Sequence, residues 1–114
     1  MTVTIAVADR GDVIATEAVI AQSFLQRARG LLGRPPLTSG EALILPHARQ
    51  VHTIGMRYPI DVVFCDEDWT VIKVIAGLRP TRVSGWVRRA RWAVELRAGM
   101  SDVQEGDRLE VTGP

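Results

Sequence analysis

Cysteine is nearly missing from this sequence, and its one representative, Cys65, cannot form an internal disulfide, which fits a reducing compartment. Long hydrophobic runs are missing too. No window approaches eighteen apolar residues, and the opening Met1-Thr-Val-Thr-Ile-Ala-Val-Ala-Asp9 has neither the basic flank nor the length of an export signal. The expectation is a cytoplasmic protein with no membrane partner. Lysine is reduced to Lys73 against thirteen arginines, and the net charge is only +1, so the molecule as a whole carries no strong electrostatic address. Common reaction motifs are absent as well. Ser84 and Ser101 lack a Gly-x-Ser-x-Gly elbow, no Gly-x-x-x-x-Gly-Lys phosphate loop occurs, and Arg29-Gly-Leu-Leu-Gly33 is only a helix end.

What is present is enough for one core. A chain of 114 residues with 46% hydrophobic content makes a single domain, residues 1–114, without disulfide or metal. Alternating Val3, Ile5 and Val7, the turn residues Asp9-Arg-Gly-Asp12 and the β-prone run Val13 to Ile20 read as an opening hairpin. Ser23 and Gln26 have capping-box spacing, and Phe24, Ala28, Leu31 and Leu32 repeat with helical period until Gly33, Pro35 and Pro36, predicting one short α-helix over about 23–32. The remainder is β in pattern: Ala42 to Leu45, Val51 to Ile54, Ile60 to Cys65, Thr70 to Leu78, Ala90 to Arg97 and Arg108 to Val111. About eight short strands with one helix predict a mainly β fold, a small closed or nearly closed barrel or a sandwich, because an open sheet of that size exposes its edges.

Polar groups concentrate beside the most apolar strand. In Ile60-Asp-Val-Val-Phe-Cys65, Ile60, Val62 and Phe64 share one face while Asp61, Val63 and Cys65 share the other. Asp61 is therefore a carboxylate at the start of a buried strand, and it needs either a cation or backbone N–H groups as partners. Arg57 and His52 are the nearest side-chain candidates, and backbone amides of the preceding loop are the local alternative. With Met56, these residues form a candidate ligand-binding patch of His52, Met56, Arg57 and Asp61. Glu95 shares a strand face with Ala93 and Arg97. It is expected either to face solvent beside an arginine or to join Asp61 and His52 in acid–base chemistry of a hydrolase or isomerase.

A second candidate surface is cationic. Arg79, Arg82, Arg88, Arg89, Arg91 and Arg97 fall within nineteen residues whose only acid is Glu95, and Trp86 and Trp92 interleave with them. The excess of arginine over lysine fits a compositional bias, but the clustering suits an anion, an acidic protein segment or a nucleic acid. Metal chemistry finds little support. His47, His52, Met56 and Cys65 occur in the wrong order for a copper loop, and two histidines without a cysteine pair make no zinc site. Cys65 lies within an apolar strand, which predicts a buried, unreactive thiol.

Several linked motifs resemble one family. Arg29-Gly-Leu-Leu-Gly-Arg34, Gly40-Glu-Ala-Leu-Ile-Leu45, His52-Thr-Ile-Gly-Met-Arg-Tyr-Pro-Ile-Asp-Val-Val-Phe64, Val94-Glu-Leu-Arg-Ala-Gly99 and Gly106-Asp107 resemble the DUF192 family of small bacterial and archaeal domains. Leu32 stands where that pattern often has Met, an apolar exchange. The resemblance implies a compact β-barrel-like domain with a helix and marks His52, Met56, Asp61, Glu95 and Gly99 as motif positions; it supplies no activity and no cofactor. The sequence thus predicts a non-enzymatic module, monomeric or weakly dimeric, that binds a small molecule or a protein segment beside His52, Met56, Arg57 and Asp61.

Overall fold

Seven strands make up one sheet in the computed structural model, which describes residues 2–21, 36–99 and 102–113. They are β1 (Val3–Val7), β2 (Val13–Ile20), β3 (Gly40–Pro46), β4 (Ile60–Cys65), β5 (Val71–Leu78), β6 (Trp92–Arg97) and β7 (Leu109–Thr112). Their spatial order is β5-β4-β6-β3-β2-β1-β7. Every neighbouring pair is antiparallel except β2 and β3, which run parallel. A parallel pair needs a long crossover rather than a hairpin, which is why some twenty residues separate β2 from β3. The helix expected over 23–32 falls in that crossover and lies outside the described residues.

Both faces of the central strands are apolar, as the unbroken burial of β4 requires. Ile5, Val7, Ala42, Ile44, Val63, Cys65, Val94 and Leu96 form one cluster together with Val71 of β5 and Leu109 of β7, the two outermost strands. Opposite edges can share a cluster only if the sheet curls, so this is the inner face of a half-barrel. The outer face carries Leu43, Leu45, Ile60, Val62, Phe64 and Ala93, covered by Val51, Met56, Val87 and Ala90 from the segments before β4 and before β6.

Two expectations need correction. The predicted strand Val51 to Ile54 pairs through a single bridge, His52 to Val83, so the count falls from eight to seven. Gly55, with φ of 88°, and the turn that follows prevent a longer ladder. The barrel is also not closed: among the described residues β5 and β7 share no ladder, and a single bridge, Thr70 to Arg108, spans the gap. Val71 N donating to Asp107 O (2.7 Å) and Leu109 N to Trp69 O (2.9 Å) make that bridge, and Gly106 N donating to Val71 O (2.9 Å) reinforces the seam. Beyond Val71 the outer side of β5 makes no further backbone bond among the described residues.

Candidate functional site

Asp61 is buried on the inner face, in register with Leu96. Its carboxylate is satisfied by backbone: Oδ1 accepts from Gly77 N (2.8 Å) and Oδ2 from Gly99 N (3.1 Å). Both glycines have left-handed φ, 65° and 79°, which turns these amides away from a regular ladder. The acid therefore locks the end of β5 and the end of β6 to the start of β4. The partners are backbone amides, but of distant segments and not of the preceding loop as the sequence suggested, and neither His52 nor Arg57 is a hydrogen-bond partner of Asp61.

His52, Met56 and Arg57 lie across the sheet from it. Met56 is buried in the outer cluster, whereas His52 and Arg57 are exposed. The residues that organise this cover are Thr53 and Ser84, which the sequence reading passed over. Thr53 is fully buried; its hydroxyl donates to Arg79 O and accepts from Arg82 N (2.9 Å). The hydroxyl of Ser84 accepts from Val51 N (3.0 Å) and donates to Gly85 O (3.0 Å). Backbone bonds Thr53 N to Arg82 O, Ser84 N to Val51 O and Val87 N to Arg49 O complete the clamp. A buried hydroxyl must be satisfied, so these two side chains fix the course of the arginine-rich segment.

Glu95 departs from expectation. It faces outward in register with Val62 and Leu43, yet it is only 2% exposed and has no arginine partner among the described residues. Its Oε1 is buried without a hydrogen-bond partner, and burial pushes the carboxyl up to about 7. Because Asp61 and Glu95 project from opposite faces of one sheet, they do not form a carboxylate pair. The acid–base arrangement of His52 with both carboxylates is not assembled.

The arginine-rich segment divides by role. Trp92 packs toward the inner cluster and stacks on Trp69, with ring centroids 4.5 Å apart and planes 18° from parallel. Trp86 instead is 65% exposed. Beside it runs a groove of about 770 Å³ lined by Ile72, Lys73 and Ile75 of β5 and by residues 85–89. Its apolar lining is Ile72, Ile75, Trp86 and Val87, its charges are Lys73, Arg88 and Arg89, and no acid contributes. Ion pairs between described residues belong to Arg10 alone, so Lys73, Arg88 and Arg89 have no carboxylate oxygen within 4 Å. Arg91 lines a smaller pocket with Arg88, Arg89, Asp66 and Glu67, while Arg79 and Arg82 lie exposed at the clamp. Of the residues singled out in the sequence, Arg88, Arg89 and Trp86 therefore meet in the groove, and Arg88, Arg89 and Arg91 in the smaller pocket. The missed members are Ile72 and Ile75; their signal was an apolar strand interrupted by Lys73.

The DUF192 family model, described as "Uncharacterized ACR", matches residues 5–111. The chain belongs to the DUF192 family. A UPF0127 protein of Pyrococcus abyssi is 35% identical over 100 residues, spanning 80% of this chain and 82% of that one. Two solved structures share the fold. A protein of unknown function from Novosphingobium aromaticivorans has a TM-score of 0.80 at 20% identity, covering 95% of this chain and 82% of its own. A Sinorhizobium meliloti protein described as a "putative transcription regulator" has a TM-score of 0.81 at 22% identity, covering 96% and 91%.

Within this DUF192 chain the described residues hold no group of three His, Cys, Asp or Glu side chains placed to bind a metal ion. Cys65 is buried in the inner cluster, and burial, with the charge of Asp66 adding to it, pushes its thiol up to about 12. A thiol held protonated in this way is a packing residue. No helix among the described residues is long and apolar enough to cross a membrane.

Proposed function

We propose that this DUF192 chain is a non-enzymatic binding module whose site is the groove between β5 and residues 85–89, and that its partner is anionic with an apolar component. The observation that carries this reading is the position of Trp86. An exposed tryptophan above Ile72, Ile75 and Val87, rimmed by three cations that make no ion pair among the described residues, has the apolar centre and basic rim typical of a recognition surface. The reading moves the ligand-binding role from His52, Met56, Arg57, Asp61 and Glu95 to the arginine-rich surface. Asp61 is occupied by backbone and Glu95 is enclosed, so neither is available to a ligand.

The test is a titration of the isotope-labelled protein, followed by amide NMR, with an acidic copolymer of glutamate and tyrosine and separately with a thymidine oligonucleotide. Shifts confined to residues 72–75 and 85–89, lost in Trp86→Ala and in the double variant Arg88→Glu/Arg89→Glu, are the expected result. Shifts that persist in both variants, or that centre on His52 and Arg57, would overturn it.

A further inference from the structure

The groove runs along a strand whose far side carries no further strand among the described residues. β5 pairs in the sheet only with β4, and on its outer side Val71 alone makes strand-like bonds, giving its N–H to Asp107 and its carbonyl to Gly106. From Ile72 to Ala76 the backbone has no partner outside the β4 ladder among the described residues. These five residues span roughly 17 Å, with Lys73–Ile75 in unbroken register with β4 between two bulges, which gives room for one short added strand. The edge and the groove share Ile72, Lys73 and Ile75, so a chain paired to the edge would lie against Trp86 and Val87.

Resting on the groove reading above, we propose that the occupant is an extended polypeptide segment, alternately apolar and acidic, which adds to β5 as an eighth strand. Backbone pairing supplies affinity and the two faces of the segment supply selectivity. Apolar side chains enter between Ile72, Ile75 and Trp86, and carboxylates meet Lys73, Arg88 and Arg89. Charge also decides what is refused. A second copy of this chain would bring its own Lys73, Arg88 and Arg89 to the same edge, so like-charge repulsion opposes edge-to-edge dimers, the usual service of a lysine on an exposed strand. A single-stranded nucleic acid is less well matched. Successive bases require successive aromatic platforms, and here only Trp86 is available, since Trp92 and Trp69 are stacked on each other.

The test uses a capped seven-residue peptide, Asp-Val-Glu-Ile-Glu-Val-Asp, with two N-methylated versions carrying the methyl groups on odd or on even residues. Binding to the intact protein is followed by calorimetry and by amide exchange at residues 72–76. The proposal expects protection of edge amides on binding, and at least tenfold weaker binding for one methylation parity but not the other, because alternate amides of an added strand face the sheet. Lys73→Glu should weaken the acidic peptide severalfold and admit the version in which lysine replaces each acid. Equal binding of all three acidic peptides, with Trp86 dependence intact, would overturn strand addition while leaving the groove in place. Binding unaffected by Trp86→Ala would remove the groove itself. Retention of the oligonucleotide but of no peptide would overturn the choice of a polypeptide partner.

Discussion

A carboxylate that accepts from two backbone amides is hard to replace, because every near-isostere presents a donor where an acceptor is required. In Asp61→Asn either orientation of the amide sets an NH2 group against Gly77 N or Gly99 N, and the lost acceptor should cost about 1–3 kcal/mol. Urea unfolding would show this as a lower midpoint with an unchanged slope. Glu95 makes the opposite case, since its carboxyl is raised from 4.5 to about 7 by burial. The folded state keeps the proton that the unfolded state releases, so this group costs nothing below about pH 4.5. Stability then falls as pH rises toward 7, by roughly 3 kcal/mol in all, and levels off above that. Glu95→Leu should abolish this part of the pH dependence and raise the melting temperature at pH 8, which scanning calorimetry from pH 4 to 8 would measure. The exposure of Trp86 and the burial of Glu95 were beyond a reading of alternation. Strand phase assigns Glu95 to the face of Arg97, but the outer face is covered by chain from distant positions, and a cover of that kind leaves no local pattern.

Elements were more legible than side-chain environments. The opening hairpin, β3, β4, β5, β6 and β7 fall within two residues of the expected segments, because most of them are apolar runs bounded by Gly, Pro or Asp turn residues. Val51 to Ile54 misled for a physical reason. Its residues do alternate, with Val51 and Thr53 inward and His52 and Ile54 outward, yet its partner is an irregular segment that offers the Ser84 hydroxyl and isolated carbonyls instead of a ladder. The clamp can be opened at one atom. Thr53→Val preserves shape but removes both hydroxyl bonds, leaving Arg79 O and Arg82 N without that partner at a cost of about 1–3 kcal/mol. Faster amide exchange at Arg82 and Ser84, with β6 unaffected, would show that the loosened unit is the cover and not the sheet.

At the scale of the whole molecule, protection should follow position in the sheet. β6 is flanked by β3 and β4 and is buried on both faces, whereas the four-residue β7 pairs only with β1 apart from the seam. Native-state hydrogen exchange should therefore find Val94 and Leu96 opening only with global unfolding and Val111 opening at lower free energy. Equal protection at these positions would show that the seam makes the sheet one cooperative unit. Strand order has a last consequence, for synthesis. β6 occupies the slot between β3 and β4 although it is made after both, so a chain emerging from the ribosome carries two apolar edges facing an empty slot until Arg97 has left the exit tunnel. During that interval the nascent protein presents aggregation-prone edges, and this is when a chaperone would be most useful to it.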